Sequence, residues 1–322
     1  MKKEMIKFNI TPVKAIVFIV CTLIFSAKAQ MPKIPDFNNN AFKTDLKGPV
    51  KSQLLNVFIT TGLPDLRDVG YESYILEEKY TPQQLRTVEN LFTTKNVLVA
   101  KSEILHDRNG FATEVIYSDL NGNMLNRITY EYMPNMNWKR TVNYDPYYNP
   151  LAIYYYYYSP EGYLSEIKQT NEEGMVRDRV IFVYDDRGNL SEQINYDGKG
   201  QQTADTEFLY NIKNKMISYR TMIGDDSIKV YSEANYQNDT LLTDMTLELY
   251  DQNKVISTIK YEYDPLGNIL KTTETDLTGT KPEVINEYLY EWDLQGNWTK
   301  QLIKKNGDVE VAATRSITYY PE

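Results

Sequence analysis

YDDRGN at residues 184–189 lies between two stretches of alternating apolar and polar residues, and related segments recur as YDPLGN at 263–268 and WDLQGN at 292–297. Each segment has an aspartate in second place and a glycine three residues later. An aspartate side chain can accept hydrogen bonds from the backbone that follows it, and glycine supplies the positive φ that a tight hairpin turn requires. The segments therefore predict β-hairpin turns. The predicted structural turn residues are Asp185, Gly188, Asp264, Gly267, Asp293 and Gly296.

Turns of this kind are spaced along the chain like the turns of a β-sheet. From about residue 111 onward, neighbouring turn positions such as 145 and 159, 185 and 197, or 251 and 264 differ by 12 to 14 residues. Such a step fits one strand of about eight or nine residues and a turn of about four, whereas helical repeats have longer periods. We therefore expect an all-β antiparallel meander with roughly sixteen strands in this region. So wide a sheet should curl into a barrel-like or spiral shell.

Tyrosine is concentrated on one face of these predicted strands. Tyr261 and Tyr263 share a face, with Lys260 and Glu262 on the other, and residues 154–158 are five consecutive tyrosines that point to both faces. A tyrosine ring with its hydroxyl suits stacking on a sugar or a protein interface, while aromatic ladders across strands also stabilise a core. Both interpretations stay open at this point. The candidate ligand-binding residues are Tyr154, Tyr156, Tyr158, Tyr261 and Tyr263.

The repeated Tyr-Asp-x-x-Gly-Asn units resemble the YD repeats of the bacterial RHS family, and they cover roughly residues 111–300. The resemblance implies a long curling antiparallel sheet, a bacterial origin and export. Large members of that family are several times longer and often enclose other polypeptide, and short secreted members are often described as sugar-binding. This sequence departs from the large members in its length, and its repeats run almost to Glu322, without a recognisable C-terminal toxin region.

The first 29 residues have the layout of a secretory signal peptide. Lysines precede an apolar run, AIVFIVCTLIFSA at 15–27, and Ala27-Lys28-Ala29 forms an Ala-x-Ala cleavage site before Gln30. The run is shorter than the roughly 20 apolar residues of a membrane-spanning helix. Thr81 and Pro82 predict the start of a short helix, as its cap and its first residue. The expected organisation is a signal peptide at 1–29, a linker at 30–45, an irregular β-rich part or cap at 46–110, and a YD-like repeat domain at 111–322.

Charge and cysteine usage restrict the partners. Cys21 is the only cysteine, and Val20 precedes it where acylation of a lipoprotein needs a small residue. The mature chain therefore offers neither disulfides nor thiolate metal ligands. The predicted signal peptide holds five lysines and one glutamate, so its removal changes the formal net charge from −9 to −13. A net-negative protein repels phosphate backbones and anionic lipid, so we expect neither nucleic-acid binding nor membrane insertion after signal cleavage.

The sequence lacks a recognisable catalytic motif. His106 is the only histidine, and it lies in a segment, LHDRNG, that has the composition of a turn. One histidine cannot form a His-based metal site, and no glycine-rich phosphate loop occurs. We therefore expect no catalytic residue, metal or cofactor. The favoured function is a non-enzymatic binding or scaffold protein for a glycan or a partner protein, in the periplasm, at the bacterial surface or outside the cell. The alternative is a carboxylate-dependent glycoside-cleaving enzyme, marked by a cleft with two carboxyl groups about 5–5.5 or 6.5–9.5 Å apart.

Overall fold

The computed structural model describes residues 39–59, 73–93, 97–224 and 227–321. The predicted signal peptide, its cleavage site and most of the predicted linker lie outside these residues. The described chain forms a short 3-10 helix, η1 (Asn39–Phe42), followed by twenty strands. The strands are β1 (Val50–Ile59), β2 (Ser73–Tyr80), β3 (Arg86–Thr93), β4 (Leu98–His106), β5 (Ala112–Ser118), β6 (Met124–Tyr132), β7 (Trp138–Tyr144), β8 (Pro150–Tyr158), β9 (Leu164–Thr170), β10 (Val176–Tyr184), β11 (Leu190–Asp197), β12 (Gln202–Tyr210), β13 (Met216–Ile223), β14 (Ser227–Gln237), β15 (Leu241–Asp251), β16 (Lys254–Tyr263), β17 (Ile269–Asp276), β18 (Val284–Trp292), β19 (Trp298–Lys305) and β20 (Asp308–Tyr319).

The twenty strands form one closed antiparallel ring. Each strand pairs with its neighbours in sequence. The ring closes where β20 pairs with β1, in a register that runs from Val50↔Tyr319 to Ile59↔Val311. The predicted all-β antiparallel meander is therefore confirmed, and of the two predicted shapes the barrel is the one that forms.

The predicted number of strands also agrees with the structure. The repeat region supplies β5 to β20, which begin at Ala112. The part predicted to be irregular or a cap supplies β1 to β4, and these strands belong to the same ring. The predicted short helix at Thr81 is wrong, because the segment is the turn between β2 and β3. Gln84 adopts a left-handed φ of 65° there, and Thr81 N donates to Leu85 O at 2.8 Å.

The repeating unit of the barrel is a hairpin of 26 residues. The turns after the even-numbered strands β2 to β12 begin at residues 81, 107, 133, 159, 185 and 211, at intervals of 26 residues. All of these turns lie at one end of the barrel, because the strands alternate in direction. We name this end the tyrosine end, since tyrosine is the usual residue before each turn. The residues in that place are Tyr80, His106, Tyr132, Tyr158, Tyr184 and Tyr210.

The interior of the barrel is its hydrophobic core. Tyrosine hydroxyls near the tyrosine end reach back to the carbonyl of the residue 20 positions earlier, as Tyr132 does to Ala112 O at 2.7 Å and Tyr184 to Leu164 O at 3.0 Å. A buried hydroxyl needs such a partner, because an unpaired polar group in a core is costly. The inward face combines these aromatic rings with aliphatic side chains from β4 to β17 in one continuous cluster.

Charged side chains occupy the outward face. Ion pairs join neighbouring strands there, with N···O distances of 2.6 Å for Arg127–Glu114 and 2.7 Å for Arg220–Glu207. Exposed pairs of this kind contribute only about 0–1 kcal/mol each. Exposed apolar side chains such as Leu151 and Leu209 share this outward face with the ion pairs.

Candidate functional site

The five candidate ligand-binding tyrosines lie on the inward face of the barrel. Tyr154, Tyr156, Tyr261 and Tyr263 are between 1 and 8 % exposed. Tyr158 is partly buried against the core, and its hydroxyl donates to Trp138 O at 3.0 Å. Burial raises the pKa of Tyr261 to about 12. This placement favours the core interpretation of these rings, while their role in ligand binding stays a prediction.

The turn residues form closed networks of hydrogen bonds with their own backbone. Asp185 Oδ1 accepts from the N–H groups of Arg187 at 2.9 Å and Asn189 at 2.8 Å, and the Asn189 amide donates to Asp185 Oδ2 at 2.9 Å. The hydrogen bond from the Asn189 side chain, with those from the backbone, holds the pKa of Asp185 below its ordinary value. The same backbone bonds recur at Asp264 and Asp293. The glycines at the fourth position of these three turns have φ values of 79° at Gly188, 81° at Gly267 and 79° at Gly296.

Four other tyrosines lie on the outside of the barrel, two of them exposed and two partly buried. Tyr155 and Tyr157 alternate with the buried tyrosines of β8, so their side chains point outward. Tyr144 ends the neighbouring strand β7, and Tyr148 lies in the turn between the two strands. Tyr157 is 44 % exposed and Tyr148 is 58 % exposed. We call Tyr144, Tyr148, Tyr155 and Tyr157 the aromatic platform.

Cationic side chains lie over every ring of the aromatic platform. The distances from cation to ring centre are 5.7 and 5.2 Å for Arg127 over Tyr144 and Tyr148, 5.9 Å for Arg140 over Tyr155, and 5.2 Å for Lys168 over Tyr157. Carboxylates hold these cations in place, as Glu131 does Arg140 at 2.7 Å and Glu166 does Lys168 at 3.7 Å. Cation–π contacts at exposed sites contribute roughly 0.5–1 kcal/mol. The platform thus combines flat apolar rings with fixed donors and acceptors.

The sequence contained a signal for the platform that our prediction did not use. Tyr155 and Tyr157 lie on the same face of the sheet as charged residues of the neighbouring strands. The register pairs Tyr155 with Arg140 on β7 and with Lys168 on β9. A tyrosine whose cross-strand neighbours are charged belongs to the polar face of a sheet. The candidate residues chosen from sequence share a face with apolar neighbours, which is why they are core residues.

The segment before β1 crosses the tyrosine end of the barrel. Thr44 N donates to Gln84 O at 3.0 Å in the turn between β2 and β3. Phe42 enters the core, with its ring centre 5.3 Å from that of Tyr130. A cavity of about 190 Å³ lies between this segment and the inward face of β1 to β3. We call it the seam cavity, because it adjoins the strand that closes the ring. It is lined by Ala41, Phe42, Lys43, Thr44, Asp45, Gln53, Glu78, Tyr80 and Arg86.

A partly buried ionic network forms the floor of the seam cavity. Arg86 Nη1 donates to Glu78 Oε1 at 2.9 Å and to Glu89 Oε2 at 2.5 Å. The other Glu78 oxygen accepts from Tyr80 OH at 2.9 Å and from Gln53 Nε2. Burial raises the pKa of Glu89, although the Arg86 guanidinium opposes part of that shift. The floor therefore holds a carboxylate and a guanidinium in fixed orientations.

Two polar side-chain atoms of this floor have no hydrogen-bond partner in the described part of the chain. Gln53 is 7 % exposed, and its Oε1 has no hydrogen-bond partner there. Arg86 Nε is also buried without a partner. Leaving such a group unpaired costs about 1–3 kcal/mol. Both atoms are enclosed by the surrounding protein, so neither faces the open space of the seam cavity.

His106 and a group of outward carboxylates are the other titratable features. The His106 ring contacts Phe42 edge to face at 6.3 Å, and burial lowers its pKa. On the outward face, Glu192 pairs with Glu207 and lies near Asp205 on β12. Burial, together with the charges of Glu192 and Glu207, raises the pKa of Asp205 to about 6.

The described residues contain neither a cluster of metal-binding side chains nor a membrane-spanning helix. Among those residues, no group of three or more His, Cys, Asp or Glu side chains is placed to hold a metal ion. No helix in the same part of the chain is long and apolar enough to cross a membrane.

Comparison with known proteins finds similarities only among solved structures. No model of a known protein family and no curated protein matches this sequence. The structure is similar to a porin-like protein from Bacteroides uniformis, with 12 % identity and a TM-score of 0.39 over 88 % of this chain and 100 % of that chain. It is also similar to a chain in the TcdB2-TccC3-Cdc42 structure, with 12 % identity and a TM-score of 0.28. That match covers 74 % of this chain and 14 % of the other. At this identity and these scores, neither similarity bears on function.

Proposed function

We propose that this protein is an exported, non-enzymatic binding protein of the bacterial envelope or exterior, and that it binds a glycan on the aromatic platform. The observation that carries the proposal is the exposure of Tyr157 on the outward face of β8 and of Tyr148 in the turn before it, each with a cationic side chain over its ring. An exposed tyrosine ring beside charged side chains offers a ligand both an apolar surface and hydrogen-bonding groups.

The chemistry of the platform matches that of a sugar. The apolar face of a sugar ring stacks on a tyrosine ring, and its hydroxyls donate to carboxylates and accept from cations. Tyr155 and Tyr157 are two residues apart on one strand, which separates them by roughly 6.6 Å. Glu131 and Glu166 supply acceptors on the neighbouring strands, on either side of β8. A linear glycan lying along β8 would contact rings and charges together.

The polarity of the barrel supports a role in water. A barrel that spans a membrane presents an apolar band to lipid and keeps polar groups inside. Here the ion pairs of Arg127 and Arg220 lie on the outward face, and the aromatic core lies inside. Together with the predicted signal peptide at 1–29, this arrangement supports a periplasmic, cell-surface or extracellular location without insertion into a membrane.

The 26-residue hairpin supports placing the chain among the short secreted YD-repeat proteins of the RHS family. Each of the six turns has a residue of positive φ at its fourth position, five of them follow a tyrosine, and the turn at Tyr184, Asp185 and Gly188 has the full Tyr-Asp-x-x-Gly pattern. The sugar-binding description of such short members is consistent with the proposed ligand.

A glycan array with the mature chain tests the proposal, followed by titration of the best ligand against variants. Tyr157→Ala should weaken binding about tenfold, because stacking on an aromatic ring contributes about 1 kcal/mol or more. Tyr231→Ala is the matched control, since Tyr231 lies on the same outward face six strands away on β14. Equal losses in the two variants, or a chain that binds a protein and no glycan, would contradict the proposal.

The glycoside-cleaving enzyme stays as the second candidate because of Asp205. Burial, together with the charges of Glu192 and Glu207, raises the pKa of Asp205 to about 6, and a raised carboxyl pKa beside other carboxylates is a feature of general acids in glycosidases. Incubating the array ligands with the protein and analysing them for shortened products tests this candidate. Cleavage that disappears in Asp205→Asn would replace the binding proposal with the enzymatic one.

A further inference from the structure

The outward face of β6 to β10 has a net charge opposite in sign to that of the mature chain. Between the turns, the register places four cations and two carboxylates on this face, a formal net charge of +2. The predicted mature chain has a formal net charge of −13. The charged residues of the face are Arg127, Arg140, Lys168, Arg179, Glu131 and Glu166.

The glutamates beside these cations do not balance them. Arg127 and Arg140 each form an ion pair with one glutamate, at 2.6 and 2.7 Å. Glu166 instead serves two cations, since it lies 3.0 Å from Arg179 and 3.7 Å from Lys168. One positive charge of the face is therefore left without a carboxylate of its own.

Two further cations lie at bulges beside this face. Lys139 on β7 and Arg177 on β10 are exposed, and the pairing register skips both of them. Neither forms an ion pair with a carboxylate of the described residues. They add to the positive charge of the surface, and such a local field attracts anionic ligands.

The register also places the cations in one row with tyrosine rings. Arg140 and Lys168 pair with Tyr155 of the aromatic platform from either side, and Arg179 pairs with Lys168. The next residue of the row is Tyr196 on β11, whose ring centre lies 5.6 Å from the Arg179 guanidinium. Neighbouring strands are about 4.8 Å apart, so three cations and two rings lie within roughly 19 Å.

We propose that the ligand of the aromatic platform is an acidic glycan that carries carboxylates on its sugar rings, as a polyuronate does. Its sugar faces would stack on tyrosine rings, while its carboxylates would pair with Lys168 and Arg179. A guanidinium matches a carboxylate because both are planar and can share two parallel hydrogen bonds. A neutral glycan would leave the excess positive charge of the face unmatched. This inference rests on the proposed function, since it names the class of glycan that the same surface binds.

Titration of the mature chain with uronate polymers and with their carboxyl-reduced forms tests the proposal. Carboxyl reduction makes each uronate a neutral sugar and keeps the linkages, so the negative charge is what the two forms do not share. We expect at least one of polygalacturonate, alginate and hyaluronate to bind at least tenfold more tightly than its reduced form. Equal binding of the reduced forms, or failure of all three polymers to bind, would overturn the assignment. Equally tight binding of single-stranded oligo-dT would indicate a surface for any polyanion and would also overturn it.

Substitutions locate the binding on this face. Arg179→Gln and Lys168→Gln remove positive charges from partly exposed side chains, and each should weaken binding of the uronate about tenfold. Arg220→Gln is the matched control, because Arg220 on β13 has nearly the same exposure as Arg179 and also pairs with a glutamate of a neighbouring strand. Unchanged affinity in both variants, or an equal loss in the control, would overturn the placement. Binding of neutral glycans that Tyr157→Ala weakens, without a preference for uronates, would reject this inference and leave the proposed function standing.

Discussion

Replacing Gly267 with alanine should lower stability by an amount that the turn geometry sets. Gly267 has a φ of 81°, and a Cβ added there would meet no atom within 4 Å. Steric crowding by neighbours therefore contributes nothing, and the cost is that of a left-handed residue, about 1–2 kcal/mol. A change of 1 kcal/mol moves Tm by roughly 2–4 °C in large domains, so Gly267→Ala should lower Tm by about 2–8 °C. Scanning calorimetry of the mature chain measures this change.

Two further variants separate conformational strain from contact. At Gly188, with a φ of 79°, an added Cβ would also come within 2.9 Å of Tyr163 Cζ, so Gly188→Ala should lower Tm further. Met136 occupies the equivalent turn position with a φ of 69° and is 56 % exposed. Met136→Gly removes the strain at a cost of about 0.5–1 kcal/mol in chain entropy, so Tm should stay level or rise. An unchanged Tm in Gly267→Ala, or an equal fall in Met136→Gly, would refute the reasoning.

Three other outcomes follow from the structure and one from the sequence. Tyr158→Phe removes the bond to Trp138 O and should lower the free energy of unfolding by about 1 kcal/mol, measured by urea titration. Asp264→Ala removes an acceptor of two backbone N–H groups and should cost about 1 kcal/mol by the same assay. Because the pKa of Asp205 is raised in the folded chain to about 6, the folded state binds the proton more tightly, so stability should fall as pH rises from about 4 to 6. Asp205→Asn should make that fall smaller, and an identical pH profile in the variant would count against it. Mass spectrometry of the exported protein should give Gln30 as the first residue, and an acylated start at Cys21 would show that cleavage follows the lipoprotein route.

The strands could be predicted from sequence because the turns carry local signals. Asp185 and Gly188 specify a turn without reference to distant residues, and the alternation between turns specifies two faces. The 26-residue hairpin was harder to predict, because the turns at the two ends of the barrel have similar compositions. The sequence therefore shows a spacing of 12 to 14 residues between turns, but not that every second turn belongs to the same end. The helix expected at Thr81 did not form because Leu85 and Gln84 complete a hairpin turn instead.

The candidate sites depended on information that no local pattern contains. Tyr155 and Tyr156 are chemically identical, and only the pairing of β8 with its neighbours determines that the first meets water and the second is buried. The seam cavity depends on contacts between residues far apart in sequence, since Gln53 and Glu78 meet when β1 pairs with β2, and the segment that holds Asp45 joins them by packing on the turn between β2 and β3. A single sequence shows which residues of a strand share a face, but it does not show which of the two faces points into the barrel.

The pairing of β1 with β20 differs from all the other strand pairings in how it must form during folding. Every other strand pairing joins neighbours in sequence, and such hairpins close short loops and form quickly. The last pairing brings Val50 to Tyr319, from opposite ends of the described chain, and is the one step with a large loop-closure cost. Until β20 is in place, β1 and β19 each present an open edge that can pair with another chain. Arrival of the C-terminal strand is therefore the event that converts an association-prone sheet into a ring that has no edge to share.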